Sequence, residues 1–118
     1  MKVLNDLLDL SATDLSSSIT SQVIQVWQSQ FTAFQIKVSA ASSLSGTFDI
    51  QASLDEVQHA TDIVNWSSVA TQSVSSLSAP ALYLKTQTDN PYNYMRVVWT
   101  PSAGSGTLAE IRMMGKSY

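Results

Sequence analysis

Phe34-Gln35-Ile36-Lys37-Val38-Ser39 and Gly46-Thr47-Phe48-Asp49-Ile50-Gln51-Ala52-Ser53 are the two runs that decide the fold class. In each, large apolar residues alternate with polar ones at a period of two, the spacing that puts one face of a β-strand in a core and the other in water. Between them lies the uncharged segment Ala41-Ser42-Ser43-Leu44-Ser45, short enough to reverse the chain, so residues 34–53 are expected to form an antiparallel hairpin. The pattern recurs near the C-terminus. Met95, Val97 and Trp99 alternate with Tyr94, Arg96 and Val98, Pro101-Ser102-Ala103-Gly104-Ser105-Gly106 follows, and residues 107–114 resume an extended pattern. Proline cannot donate to a sheet ladder and glycine tolerates positive φ, so a second hairpin is expected over 94–114. In its return strand Ala109, Ile111 and Met113 face one side and Leu108, Glu110, Arg112 and Met114 the other; both sides carry apolar residues, so its inward face stays open.

Shorter strands are expected over residues 22–27, 67–74 and 81–86, each bounded by Ser, Asn, Asp or Pro. Residues 54–65, with Asp55, Glu56, His59 and Asp62, read as a long loop or a single helical turn. The N-terminal residues Val3, Leu4, Leu7, Leu8 and Leu10 fit a helical stripe as well as an extended arm. Either way the leucines need a surface to rest on, because so short a helix is marginal alone in water. These readings give an all-β, antiparallel, jelly-roll-like sandwich over residues 15–118, preceded by an N-terminal arm over 1–14.

Composition agrees with that class. The 118 residues are 44% hydrophobic and only 13% charged, so the polarity rests on hydroxyls and amides, which suits sheet faces. Three Trp, four Tyr and three Phe supply a core. The net charge of −3 and the scatter of Lys2, Lys37, Lys85, Arg96, Arg112 and Lys116 argue against a nucleic-acid groove, which needs clustered cations. With no cysteine there is neither disulfide nor thiolate metal site. No run approaches the ~20 apolar residues of a membrane helix, and Asp6 interrupts the N-terminus before a signal-peptide core can form, so synthesis and folding in the cytoplasm are expected, with no membrane partner.

No constellation points to catalysis. His59 is the only histidine, and a Ser-His-Asp site needs one placed beside its serine. Asp55, Glu56, His59 and Asp62 match no standard metal spacing, and no two carboxylates are marked as a glycosidase pair. The Gly104-Ser105-Gly106 run lacks the following helix and lysine of a phosphate loop. No enzyme activity, cofactor or metal is therefore expected. The aromatics remain: Trp27, Trp66 and Trp99 are expected mainly between two sheets, whereas Trp66, Tyr83, Tyr92 and Tyr94 could instead offer a platform on which sugar rings stack.

Several short motifs occur in a telling order: Asp14-Leu15-Ser16-Ser17-Ser18-Ile19, Gly46-Thr47-Phe48-Asp49-Ile50-Gln51-Ala52-Ser53-Leu54-Asp55, Asn65-Trp66, Tyr94-Met95-Arg96-Val97-Val98-Trp99-Thr100, Ser102-Ala103-Gly104-Ser105-Gly106-Thr107-Leu108 and Gly115-Lys116. In this order they resemble a group of small β-sandwich proteins encoded among the structural genes of tailed and related bacteriophages, over roughly residues 15–116. The resemblance implies a virion structural protein, a capsid decoration or other head-associated component. Such a protein works by self-assembly as a homo-oligomer and by docking onto other virion subunits such as the major capsid protein. The interface residues expected on that reading are Leu4, Leu7 and Leu8 in the arm, Asp55, Glu56 and His59 in the long loop, and Tyr92. The alternative is a carbohydrate-binding module or a host-glycan-binding fibre or tail component, with Trp66 and Tyr92 as glycan contacts.

Overall fold

Two long strands form the frame: β5 (Phe31–Ser53) and β8 (Tyr94–Ser117), antiparallel to each other from Phe31↔Lys116 to Ser53↔Tyr94. The structure is a computed structural model that describes residues 2–9, 13–26, 31–55, 59, 63–87 and 92–117, with backbone alone for 2–9 and 117. Every other strand attaches to one member of the pair. β1 (Lys2–Asp9), β2 (Thr13–Asp14), β3 (Ile19–Thr20) and β4 (Ile24–Gln25) pair in succession along β8. β6 (Ser67–Leu77) pairs with the second half of β5 and β7 (Ala81–Gln87) with its first half. All pairings are antiparallel, and the described residues contain no helix.

The two expected hairpins are therefore corrected to one bent strand each. Residues 34–38 pair with 81–85 and 108–113 rather than with 46–53, and residues 94–101 pair with 46–53 rather than with 107–114. What looked like two reversals is a pair of bends lying side by side, with register shifts between Ser42 and Gly46 opposite residues 101–105. Ser43 (φ 49°) and Gly104 (φ 76°) take left-handed backbone there, which turns a strand out of its plane without reversing it. Both strands thus cross from one sheet layer to the other, and the single hydrogen-bonded sheet folds over into a sandwich.

The alternation does locate the core. Phe34, Ile36 and Val38 in one layer and Phe48, Ile50, Ala52, Met95, Val97 and Trp99 in the other are all buried. Contacts cross between layers: Phe48 lies 4.4 Å from Trp99 within its own layer and 6.4 Å from Tyr83 of the opposite one (ring centroids), and Thr32 Oγ1 approaches Met95 Sδ at 3.9 Å. Among the described residues Trp99 is the largest fully buried side chain, and its Nε1–H donates to the Leu15 carbonyl at 2.8 Å, so the ring's one polar group is satisfied. Burying such a ring contributes on the order of 3 kcal/mol. Trp27 lies outside the described residues.

The open question in the return strand is answered by a register shift. Glu110 pairs with Lys37 and Leu108 with Val38, which leaves Ala109 as the extra residue of a bulge. Leu108, Ile111 and Met113 consequently all point into the core, a combination that strict alternation forbids. The N-terminal stretch adopts the extended of its two expected conformations and adds β1 to the sheet edge, with Leu4 opposite Gly115, Leu7 opposite Arg112 and Leu8 in a register shift.

Candidate functional site

The outer face of the layer built from β6, residues 46–53 of β5 and residues 94–101 of β8 carries a chain of polar side chains. Asp49 and Gln51 are the wet alternates of β5, Arg96 the wet alternate of β8 opposite Gln51, and Ser68 the β6 partner of Gln51. Ser68 Oγ donates to Asp49 Oδ1, Gln51 Nε2 donates to Asp49 Oδ2 at 3.0 Å, and Arg96 Nε donates to Gln51 Oε1 at 2.8 Å. The Arg96 guanidinium sits over the Trp66 ring, 4.2 Å from its centroid. Such a stack is worth roughly 0.5–2 kcal/mol, depending on how far the cation is desolvated. Partial burial pushes the Arg96 guanidinium below its ordinary value, although arginine stays charged throughout the working range.

Beside this row, where β5, β6 and β8 end, lies a cleft of about 400 Å³ lined by Ala52, Ser53, Leu54, Asp55, Asn65, Ser67 and Tyr92. Asp55 organises its wall. Its Oδ2 accepts from the Val64 and Asn65 amides at 3.0 and 3.1 Å, its Oδ1 accepts from Asn65 Nδ2 at 2.9 Å, and its own N–H donates to Ser53 Oγ. These bonds, the Asn65 side-chain amide foremost, hold the Asp55 carboxyl below its usual range. Asn93 Nδ2 ties the facing segment down by donating to the Leu54 carbonyl at 2.9 Å. Tyr92 is half-buried against the core.

Of the residues expected to serve contacts, Asp55 and Tyr92 are brought together in this cleft, and Trp66 lies between two of its lining residues, turned half-buried onto Arg96. His59 is exposed at a bend, and Glu56 lies outside the described residues. Leu4, Leu7 and Leu8 belong to β1, which pairs with the part of β8 beyond the bend, so they are not part of this site. Arg96, Gln51, Asp49 and Ser68 were not expected as a unit. Alternation marks them as solvent-facing, but only the strand pairing makes them neighbours.

The described residues contain no cluster of metal-ligating side chains, and the polar row holds no histidine to act as a base. What the surface offers is a fixed array of donors and acceptors next to an aromatic ring and a shallow cleft.

No protein-family model matches the chain, and no curated protein matches it in sequence. Solved structures do match in fold. One, described as "CBM4 structure and function", superposes with a TM-score of 0.51 at 13% identity, covering 83% of this chain and 56% of that one. This chain thus spans little more than half the length of that structure. A second is the K3 cleaved adhesin domain of Lys-gingipain from Porphyromonas gingivalis, with a TM-score of 0.50, 10% identity, and 94% and 72% of the two chains covered. A third, with a TM-score of 0.49, is a carbohydrate-binding module of Cellvibrio mixtus lichenase 5A in complex with cellotriose, at 10% identity and covering 98% and 88%. None of these three is a bacteriophage particle protein. At such identities the likeness shows a β-sandwich fold.

Proposed function

We propose that this chain is a non-catalytic glycan-binding domain that holds saccharides on the outer face of the β6–β5–β8 layer and in the adjoining cleft. The observation that carries the reading is the Trp66–Arg96 stack, anchored through Gln51 and Asp49 and continuous with the cleft of Asp55 and Tyr92. Sugars present apolar C–H faces and rows of vicinal hydroxyls. An aromatic ring flanked by fixed amide, carboxylate and guanidinium groups matches both features. The sandwich fold shared with a structure described as CBM4 supports the reading, because that architecture presents such a face on rigid strands. The test is titration calorimetry against soluble plant and microbial polysaccharides. Saturable binding should weaken about tenfold, or 1.4 kcal/mol, in Trp66→Ala and in Tyr92→Ala with unchanged circular dichroism. Absence of saturable binding to any saccharide would remove the reading.

A second reading, a self-assembling structural subunit of a phage particle, draws on a different observation. On β7, Leu82 (56% exposed) and Leu84 (64%) point outward opposite Lys37 and Gln35, while Tyr83, Lys85 and Gln87 take the inward register. Two leucines on an edge strand serve no glycan. On this reading they meet β7 of a second copy, whose open strand edge would continue the sheet. The partners would then be other copies of this chain and virion proteins, and the location the virion. Sedimentation at rising protein concentration tests it. A monomer across the range refutes self-assembly.

A further inference from the structure

Among the described residues Arg96 has no carboxylate partner. It spends its Nε–H on the neutral Gln51 amide, and Trp66 covers one side of its guanidinium, with no ion pair to any described carboxylate. Among the described residues the ion pair present is Arg112–Glu110, on the other layer. The one carboxylate on the outer strand positions of this face, Asp49, is occupied by Ser68 and by Gln51, which stands between it and Arg96. Partial burial removes some water from the guanidinium, and no described anion replaces it. Its planar fork matches a two-oxygen anion bidentately. The molecule as a whole is negative (−3), so long-range attraction would not draw an anion here, and the local guanidinium must do so.

Resting on the glycan reading, we infer that the saccharide bound on this face is acidic, with an oxyanion, the carboxylate of a uronic acid or a sulfate ester, seated on Arg96 while the neighbouring ring packs by Trp66. The neutral row from Gln51 to Ser68 serves the hydroxyls. Arg96 is therefore the specificity-determining residue of the site.

The experiment compares one backbone with and without its charge: oligogalacturonate and its methyl-esterified form, titrated into the wild-type protein, with cellohexaose as a neutral reference and sulfated dextran as the sulfate arm. The free acid should bind at least tenfold more tightly than the ester, and the advantage should shrink as salt is raised. Tight binding of sulfated dextran without oligogalacturonate identifies sulfate as the anion; the reverse identifies carboxylate. Arg96→Gln should bring the ratio of acid to ester affinity to about one, whatever it does to the ester affinity itself, and Arg96→Lys, which keeps charge but loses the fork, should restore part of that ratio. If Arg96→Gln fails to fold, the wild-type comparison and Arg96→Lys still decide. Equal affinity for acid and ester with sulfated dextran bound no more tightly than cellohexaose, or a preference that survives Arg96→Gln, overturns the inference and leaves the glycan reading intact. Binding to none of the saccharides overturns both.

Discussion

Gly46→Ala tests the two-layer geometry most directly. If residues 34–53 were a hairpin, Gly46 would open its second strand and a methyl group there would be tolerated. In the bent-strand structure a Cβ on Gly46 meets the Thr100 carbonyl oxygen at 2.6 Å and the buried edge of the Trp99 ring. Neither can yield. Thr100 is held in the β5–β8 ladder opposite Thr47, and the Trp99 ring is packed against Phe48 and pinned through Nε1 to Leu15. Overpacking of this kind costs ~1–3 kcal/mol, and a backbone clash with no escape belongs at the upper end, about 3 kcal/mol. With an unfolding entropy of roughly 2.1 cal/mol/K per residue, the chain of 118 residues unfolds with about 250 cal/mol/K, so the melting temperature should fall by about 12 °C. Scanning calorimetry gives the shift, and urea denaturation at constant m-value confirms that the native state rather than the unfolded one has changed. Gly106→Ala, which meets the Ala40 carbonyl at 2.9 Å and a movable Leu44 methyl at 3.0 Å, should cost less. Gly104→Ala combines positive φ with a collision against the Ser43 backbone and should cost most. A shift below ~2 °C for Gly46→Ala, or an inverted order among the three, would refute the placement of Trp99 beneath the bend.

Ser21→Ala should destabilise by ~1–3 kcal/mol, measured by urea denaturation, because Ser21 Oγ accepts from the buried Val97 N–H at 2.8 Å and an alanine leaves that donor unpaired. Asp55 sets a pH window. Its carboxyl lies below the ordinary 3.8 in the folded state, so its contribution is fully present above that value and is lost as pH falls through the lower folded value. Protection of the Val64 and Asn65 amides, followed by hydrogen exchange, should drop over that range, and Asp55→Ala should show reduced protection at neutral pH. Leu82→Ser with Leu84→Ser should leave stability within about 0.5 kcal/mol, since both side chains are exposed, while abolishing any concentration-dependent association seen by sedimentation.

Period-two alternation reports which face of a strand is buried, and at Phe34, Ile36, Val38, Phe48, Ile50, Met95, Val97 and Trp99 it does so correctly. It carries no information about which strand lies alongside. The Ser-, Ala- and Gly-rich segments at 41–45 and 102–106 have the composition of turns, yet bulged bends recruit the same residues, because both need positive φ or a close backbone approach. The return strand defeated alternation for a related reason: one extra residue, Ala109, changes the phase between Leu108 and Ile111. In the candidate site, Asp55, Trp66 and Tyr92 stand out in the sequence as a carboxylate and aromatics near turns. Arg96 does not, because its significance lies in what Gln51 and Trp66 do to it across two strand pairings.

The attachment of β1 through β4 to β8 alone has a kinetic consequence. In the described pairings β1 to β4 all wait for β8, which is synthesised after them, and β5 must wait for the same segment to complete its ladder. A ribosome-bound chain that ends before Tyr94 holds β5, β6 and β7 but offers nothing to its N-terminal residues. The central ladder joins residues as far apart as Phe31 and Lys116, and topologies dominated by such distant pairings fold slowly. Acquisition of structure is therefore late and concerted, and until residues 94–117 arrive the leucine-rich start of the chain is exposed to whatever else is present.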